Sequence, residues 1–128
     1  MISLLLVSTE KDSLSDVSRH FEQRDGITTH LAGSGKKALE MISEQDFDLV
    51  LSDQTLEDMT GLEFAKKLVS TNPMINCAAV SSLSHEEFHE ASEGLGLLMQ
   101  LPVRPGKQDA VALMQRLEEI LNLTGKTV

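Results

Sequence analysis

The chain has 128 residues, 41% of them hydrophobic and 24% charged, with a formal net charge of −9. This is one globular domain with a real core, and no apolar run is long enough to span a membrane. An acidic chain with no basic cluster, no Trp and no Tyr is a poor direct binder of nucleic acid, and the single cysteine, Cys77, excludes an internal disulfide and makes the cytoplasm the default compartment.

ISLLLV (2–7) has the length of a buried strand and lacks the basic flank and cleavage site of a signal peptide. Ser8-Thr9 break it off. Asp12 or Ser13 is placed to cap a helix carrying Leu14, Val17 and Phe21 at helical spacing, ending near Asp25-Gly26. ITTHLA (27–32) alternates as a half-buried strand, and Ser34 then precedes a helix with Ala38, Leu39 and Ile42 on one face. FDLVLS (47–52) is apolar on both faces, the mark of a strand covered on both sides.

A polar loop, DQTLEDMTG, leads to the helical GLEFAKKLVS, which Asn72-Pro73 closes. MINCAAVSS (74–82) is a strand of small residues, 85–93 a short helix ended by Gly94, and LGLLMQL (95–101) a strand ended by Pro102. Residues 107–122 form a last amphipathic helix, so 1–123 is one domain and 124–128 a tail or the start of a linker. The order βαβαβαβαβα implies a doubly wound, five-stranded parallel sheet between two helical layers. Right-handed crossovers bring the carboxyl ends of all five strands to one rim, where ligands of such folds bind.

The residues on that rim carry a resemblance. DFDLVLSDQTLEDMTGLEFAKKL resembles the phosphoacceptor segment of a response regulator receiver domain, with Asp53 at the phosphoacceptor position, Thr55 supplying a loop carbonyl and Gly61 at the family's glycine. AAVSS resembles the strand that delivers a switch hydroxyl, which falls on Ser81, and GLGLLMQLPV resembles the strand that ends in lysine and proline. The resemblance covers nearly the whole chain and implies the CheY-like, flavodoxin-like (βα)5 fold, phosphorelay signalling without enzymatic turnover, and Mg²⁺ as cofactor. It also implies as partners a sensor histidine kinase or phosphotransfer protein and an output domain. These would meet the face built from the fourth helix, fifth strand and fifth helix (near 84–92, 97–101 and 107–120); a homodimer is a further option.

The departures fall on the chemistry. The family's acidic pair is replaced by Ser8 and Thr9, its lysine by Leu101 and its aromatic switch residue by Leu98; the loop's proline and second acid are Glu57 and Thr60. Phosphoryl transfer to a carboxylate brings two anions together and needs positive charge on the phosphoryl oxygens. Each such stabiliser is worth on the order of 3 kcal/mol in a transition state. Losing both the metal pair and the lysine makes transfer weak or absent, and leaves a phosphorylation-independent interaction module as the alternative. Glu10, Glu57 and Asp58 are the nearby acids that a metal could recruit instead; as solvated loop acids they need no such role.

A second motif competes. HEEFH (85–89) matches H-E-x-x-H, in which two His one helical turn apart share a zinc ion and the Glu acts as base. Ser84 and Glu87 account for the same residues as a capping box, with Leu83 and Phe88 as a hydrophobic staple. No third ligand pattern follows, so a zinc hydrolase is a remote alternative. His20 and His30 read as lone surface or edge residues, and Cys77 as a small core hydrophobe.

Overall fold

The computed structural model describes residues 2–10 and 12–123; the expected tail at 124–128 lies outside the described residues. Ten elements alternate strictly: β1 (Ile2–Val7), α1 (Ser15–Glu22), β2 (Ile27–Ala32), α2 (Gly35–Glu44), β3 (Leu49–Ser52), α3 (Gly61–Thr71), β4 (Asn76–Val80), α4 (His85–Ala91), β5 (Gln100–Leu101) and α5 (Lys107–Leu123). All pairings are parallel, in the order β2-β1-β3-β4-β5. This is the doubly wound sheet that the sequence implies.

The period of two along each strand sorts the core into two layers. Ile2, Leu4, Leu6, Leu49 and Leu51 face α1 and α5, where Val17, Phe21, Leu113 and Leu117 meet them. Leu5, Val7, Val50 and Cys77 face α2 and α3, against Ala38, Phe64, Ala65 and Leu68. Each fully buried Leu or Phe contributes on the order of 2 kcal/mol, and β1, apolar on both faces, feeds both layers.

Local signals hold at several helix starts. Ser34 accepts from the backbone N–H of Lys37 at 3.0 Å. Thr60 with Glu63, and Ser84 with Glu87, form complete capping boxes. The start of α1 differs from expectation: neither Asp12 nor Ser13 caps it, Leu14 stands at the cap without a side-chain bond, and residues 12–14 make a preceding turn. Burial of Leu14 and Ser13 decides this, since the turn folds both under the rim. The helix also ends at Glu22, short of Asp25-Gly26.

Two strands are shorter than their apolar runs. β4 spans 76–80 rather than 74–82, because a turn that bonds the Ile75 N–H to the Asn72 carbonyl leaves Met74 in solvent. β5 has two residues rather than seven. Gly94 and Gly96 take φ of 84° and 65°, a left-handed backbone that no strand continues. The chain rejoins β4 at Leu98, whose N–H donates to the Cys77 carbonyl at 2.7 Å.

Candidate functional site

β3 delivers Asp53 to the middle of the carboxyl rim, where its N–H completes the ladder to the Val7 carbonyl at 2.9 Å. The residue is 7% exposed. Its Oδ1 accepts from the Gln54 N–H at 2.9 Å and its Oδ2 accepts from the Ser8 hydroxyl at 2.9 Å. The Ser8 oxygen also lies 2.8 Å from the Glu10 carbonyl. One hydroxyl proton serves two acceptors, and an ionised carboxylate is the stronger. Gly61 sits where an added Cβ would collide with the Asp53 carbonyl. No larger residue lets α3 start there, so the glycine holds the loop close beneath Asp53.

Thr9 works differently from Ser8. Its hydroxyl donates to the Gly33 carbonyl at 2.8 Å and accepts from the Glu57 N–H at 2.7 Å. It therefore ties the loops after β1, β2 and β3 together. Asp58 turns away from Asp53's neighbours on β1 and caps α2. Its two oxygens accept from the N–H groups of Gly35 and Lys36, both at 2.9 Å. Those two bonds hold its carboxyl below the ordinary value of 3.8. Glu10 and Glu57 have exposed side chains. Thr55 bridges Thr60 across the neck of the β3–α3 loop.

Ser81 is buried at the end of β4, and its hydroxyl accepts from the Leu83 N–H at 3.1 Å. Leu101 is 1% exposed and belongs to the core layer under α1 and α5. Leu98 packs partly buried on that same layer. Two residues that sequence reasoning missed join these loops. The Gln54 side chain accepts from the Ser82 N–H at 2.8 Å. The Gln100 side chain donates to the carbonyls of Ser81 and Leu83, at 3.3 and 2.8 Å. Only adjacency to Asp53 and Leu101 pointed to either.

The remaining candidates lie apart. His85 and His89 are exposed on α4, and among the described residues no three His, Cys, Asp or Glu groups converge on a metal position. His30 is not alone, as its ring meets Phe47 edge-on at 5.4 Å. His20 is half-buried, with Nε2 shielded from solvent and no hydrogen-bond partner. Cys77 is buried among apolar groups, which pushes its thiol up to about 12. No helix among the described residues is long and apolar enough to cross a membrane.

The family model of the response regulator receiver domain matches residues 4–102. The chain belongs to that family. It is a response regulator receiver domain, of the kind found in two-component systems. It is 33% identical over 89 residues to the heme response regulator HssR of Staphylococcus epidermidis, covering 68% of this chain and 39% of that protein. It is 39% identical over 62 residues to the transcriptional regulatory protein ZraR of Escherichia coli, covering 48% of this chain and 14% of that protein. The receiver thus spans well under half the length of these relatives. The chemotaxis response regulator CheY4 of Vibrio cholerae shares the fold, with a TM-score of 0.80 at 22% identity over 91% of this chain and 98% of that one. Receiver domains commonly bind Mg²⁺, interact with histidine kinases or phosphotransfer proteins and with output domains, and are not in general enzymes.

Proposed function

We propose that this receiver domain acts by docking to its partners, with phosphoryl transfer to Asp53 slowed by several orders of magnitude or absent. The observation that carries this is the hydrogen bond from the Ser8 hydroxyl to Asp53 Oδ2 at 2.9 Å. At a position where the family keeps a carboxylate, a neutral donor is turned toward the acceptor carboxylate. That hydroxyl occupies one of the oxygens that would attack phosphorus.

The residues present do not fit Mg²⁺. This hard cation takes oxygen ligands in octahedral array, with carboxylates preferred. Ser8 and Thr9 offer neutral hydroxyls in place of carboxylates, and Thr9's oxygen is already engaged by the Glu57 N–H. Asp58 is held by two backbone N–H groups at α2, and of the three acids a metal could recruit Glu10 and Glu57 remain exposed. With Leu101 in the core, no ammonium stands at the lysine position. Among the described residues, neither an acidic pair nor an ammonium stands at these two positions to neutralise the phosphoryl group.

The docking face in this proposal is the one formed by α4, β5 and α5, and its partners are a histidine kinase, a phosphotransfer protein or an output domain. A second copy of the chain is the competing occupant. Zinc hydrolysis gains no support, because the capping box already accounts for the start of the seven-residue α4. The test is incubation with a small-molecule phosphodonor and Mg²⁺, followed by intact mass. The expected result is no adduct after prolonged incubation. A stoichiometric adduct that Asp53→Asn abolishes would overturn the proposal.

A further inference from the structure

We infer that Gln54 and Gln100 are positioning residues that hold the β4–α4 loop in one arrangement whatever the state of Asp53. This deepens the docking proposal, since a face that does not move is recognisable without phosphate. Polar groups of residues 81–83 find their partners inside the protein. The Ser81 N–H donates to the Leu101 carbonyl at 2.9 Å, and the Ser81 hydroxyl accepts from the Leu83 N–H. The Ser82 N–H is taken by the Gln54 side chain, and the carbonyls of Ser81 and Leu83 by the Gln100 side chain. The three N–H groups and the carbonyls of Ser81 and Leu83 are thus paired within the protein, with no ligand needed.

The carboxamides suit these roles by proton count. Gln100 Nε2 has two hydrogens for two carbonyls, which can only accept. Gln54 Oε1 meets an N–H, which can only donate. Each amide therefore has one sensible orientation. Gln54 reaches from the β3 loop and Gln100 from β5, so the segment is gripped from both neighbouring strands. The Ser81 hydroxyl oxygen is also tied to the Leu83 N–H, so the Ser81 side chain and the backbone on either side of it are held by separate bonds. Sequence alternation also turns Gln100 away from the core that Leu101 fills, freeing it for the loop.

Hydrogen–deuterium exchange at the Ser82 amide in the full chain tests this. Loss of one neutral hydrogen bond corresponds to an opening equilibrium on the order of fivefold larger. Gln54→Ala and Gln100→Glu should accelerate Ser82 by about that factor or more, with amides of β1 and β3 unchanged. Gln54→Glu, which keeps an acceptor, and Asp53→Asn, which removes the charge, should stay within about twofold of the parent. The inference is overturned if Ser82 is unaffected by Gln54→Ala and Gln100→Glu, if β1 and β3 speed up equally, or if Asp53→Asn releases Ser82 as much. Should Gln100→Glu fail to fold, Gln54→Ala against Gln54→Glu decides. A phosphoryl adduct on Asp53 would contradict the docking proposal and leave this outcome untouched.

Discussion

Ser8→Ala removes one oxygen atom and isolates the interaction on which the site depends. In the parent chain Asp53 is 7% exposed and, among the described residues, its carboxylate has two donors, the Ser8 hydroxyl and the Gln54 N–H. The substitution leaves one. A hydrogen bond to a charged group is worth about 1.5–3 kcal/mol, and water has poor access to replace it. Some of the hydroxyl's proton density goes to the Glu10 carbonyl at 2.8 Å, which lowers the expected figure to ~2 kcal/mol. For a domain of this size that is a loss of roughly 8 °C in Tm. The assay is urea unfolding at neutral pH in a cycle with Asp53→Ala. Ser8→Ala should cost about 2 kcal/mol alone and well under 1 kcal/mol in the Asp53→Ala background. Equal cost in both backgrounds would show that Ser8 stabilises through packing, and would refute the proposed tie to Asp53.

Thr9→Val keeps shape and loses both the bond to Gly33 and the bond from Glu57; about 1–2 kcal/mol of stability should go, and Thr9→Ser should restore most of it in the same unfolding assay. Asp58 gives a pH signature. Its carboxyl is lowered in the folded state, so its contribution is fully present above the ordinary 3.8 and fades as pH falls through the depressed value. Stability measured from neutral pH down into that acid range should decline less steeply in Asp58→Asn than in the parent, and identical slopes would contradict the cap on α2. Gly61→Ala forces a Cβ onto the Asp53 carbonyl and should cost about 2–3 kcal/mol or prevent soluble expression.

Hydrophobic periodicity made the fold legible, because each strand and helix announces its buried face locally. Ser34, Ser84 and Glu87 were equally local, since a cap bonds within its own first turn. The start of α1 was not: Asp12 and Ser13 had the right chemistry, and burial of Leu14 against the sheet overrode it. The apolar run before Leu101 concealed a left-handed backbone at Gly94 and Gly96, so β5 came out short. At the rim, the family resemblance pointed to Asp53, Ser81, Leu101 and the hydroxyls of Ser8 and Thr9. What those groups bond to depends on how loops distant in sequence meet. Asp58 as a cap for α2, Thr9 as a tie among three loops, and Gln54 and Gln100 gripping the β4–α4 loop all cross between elements. No periodicity encodes such contacts.

In the proposed reading, the Ser8 and Thr9 hydroxyls stand where metal-binding acids would be needed. A Mg²⁺ titration of the parent chain beside Ser8→Asp with Thr9→Asp, followed at the amides around Asp53, tests it most directly. The parent should show no saturable change, and the double variant should acquire a saturable Mg²⁺ site there. Saturable binding by the parent, or a double variant that binds no better than the parent, would contradict it.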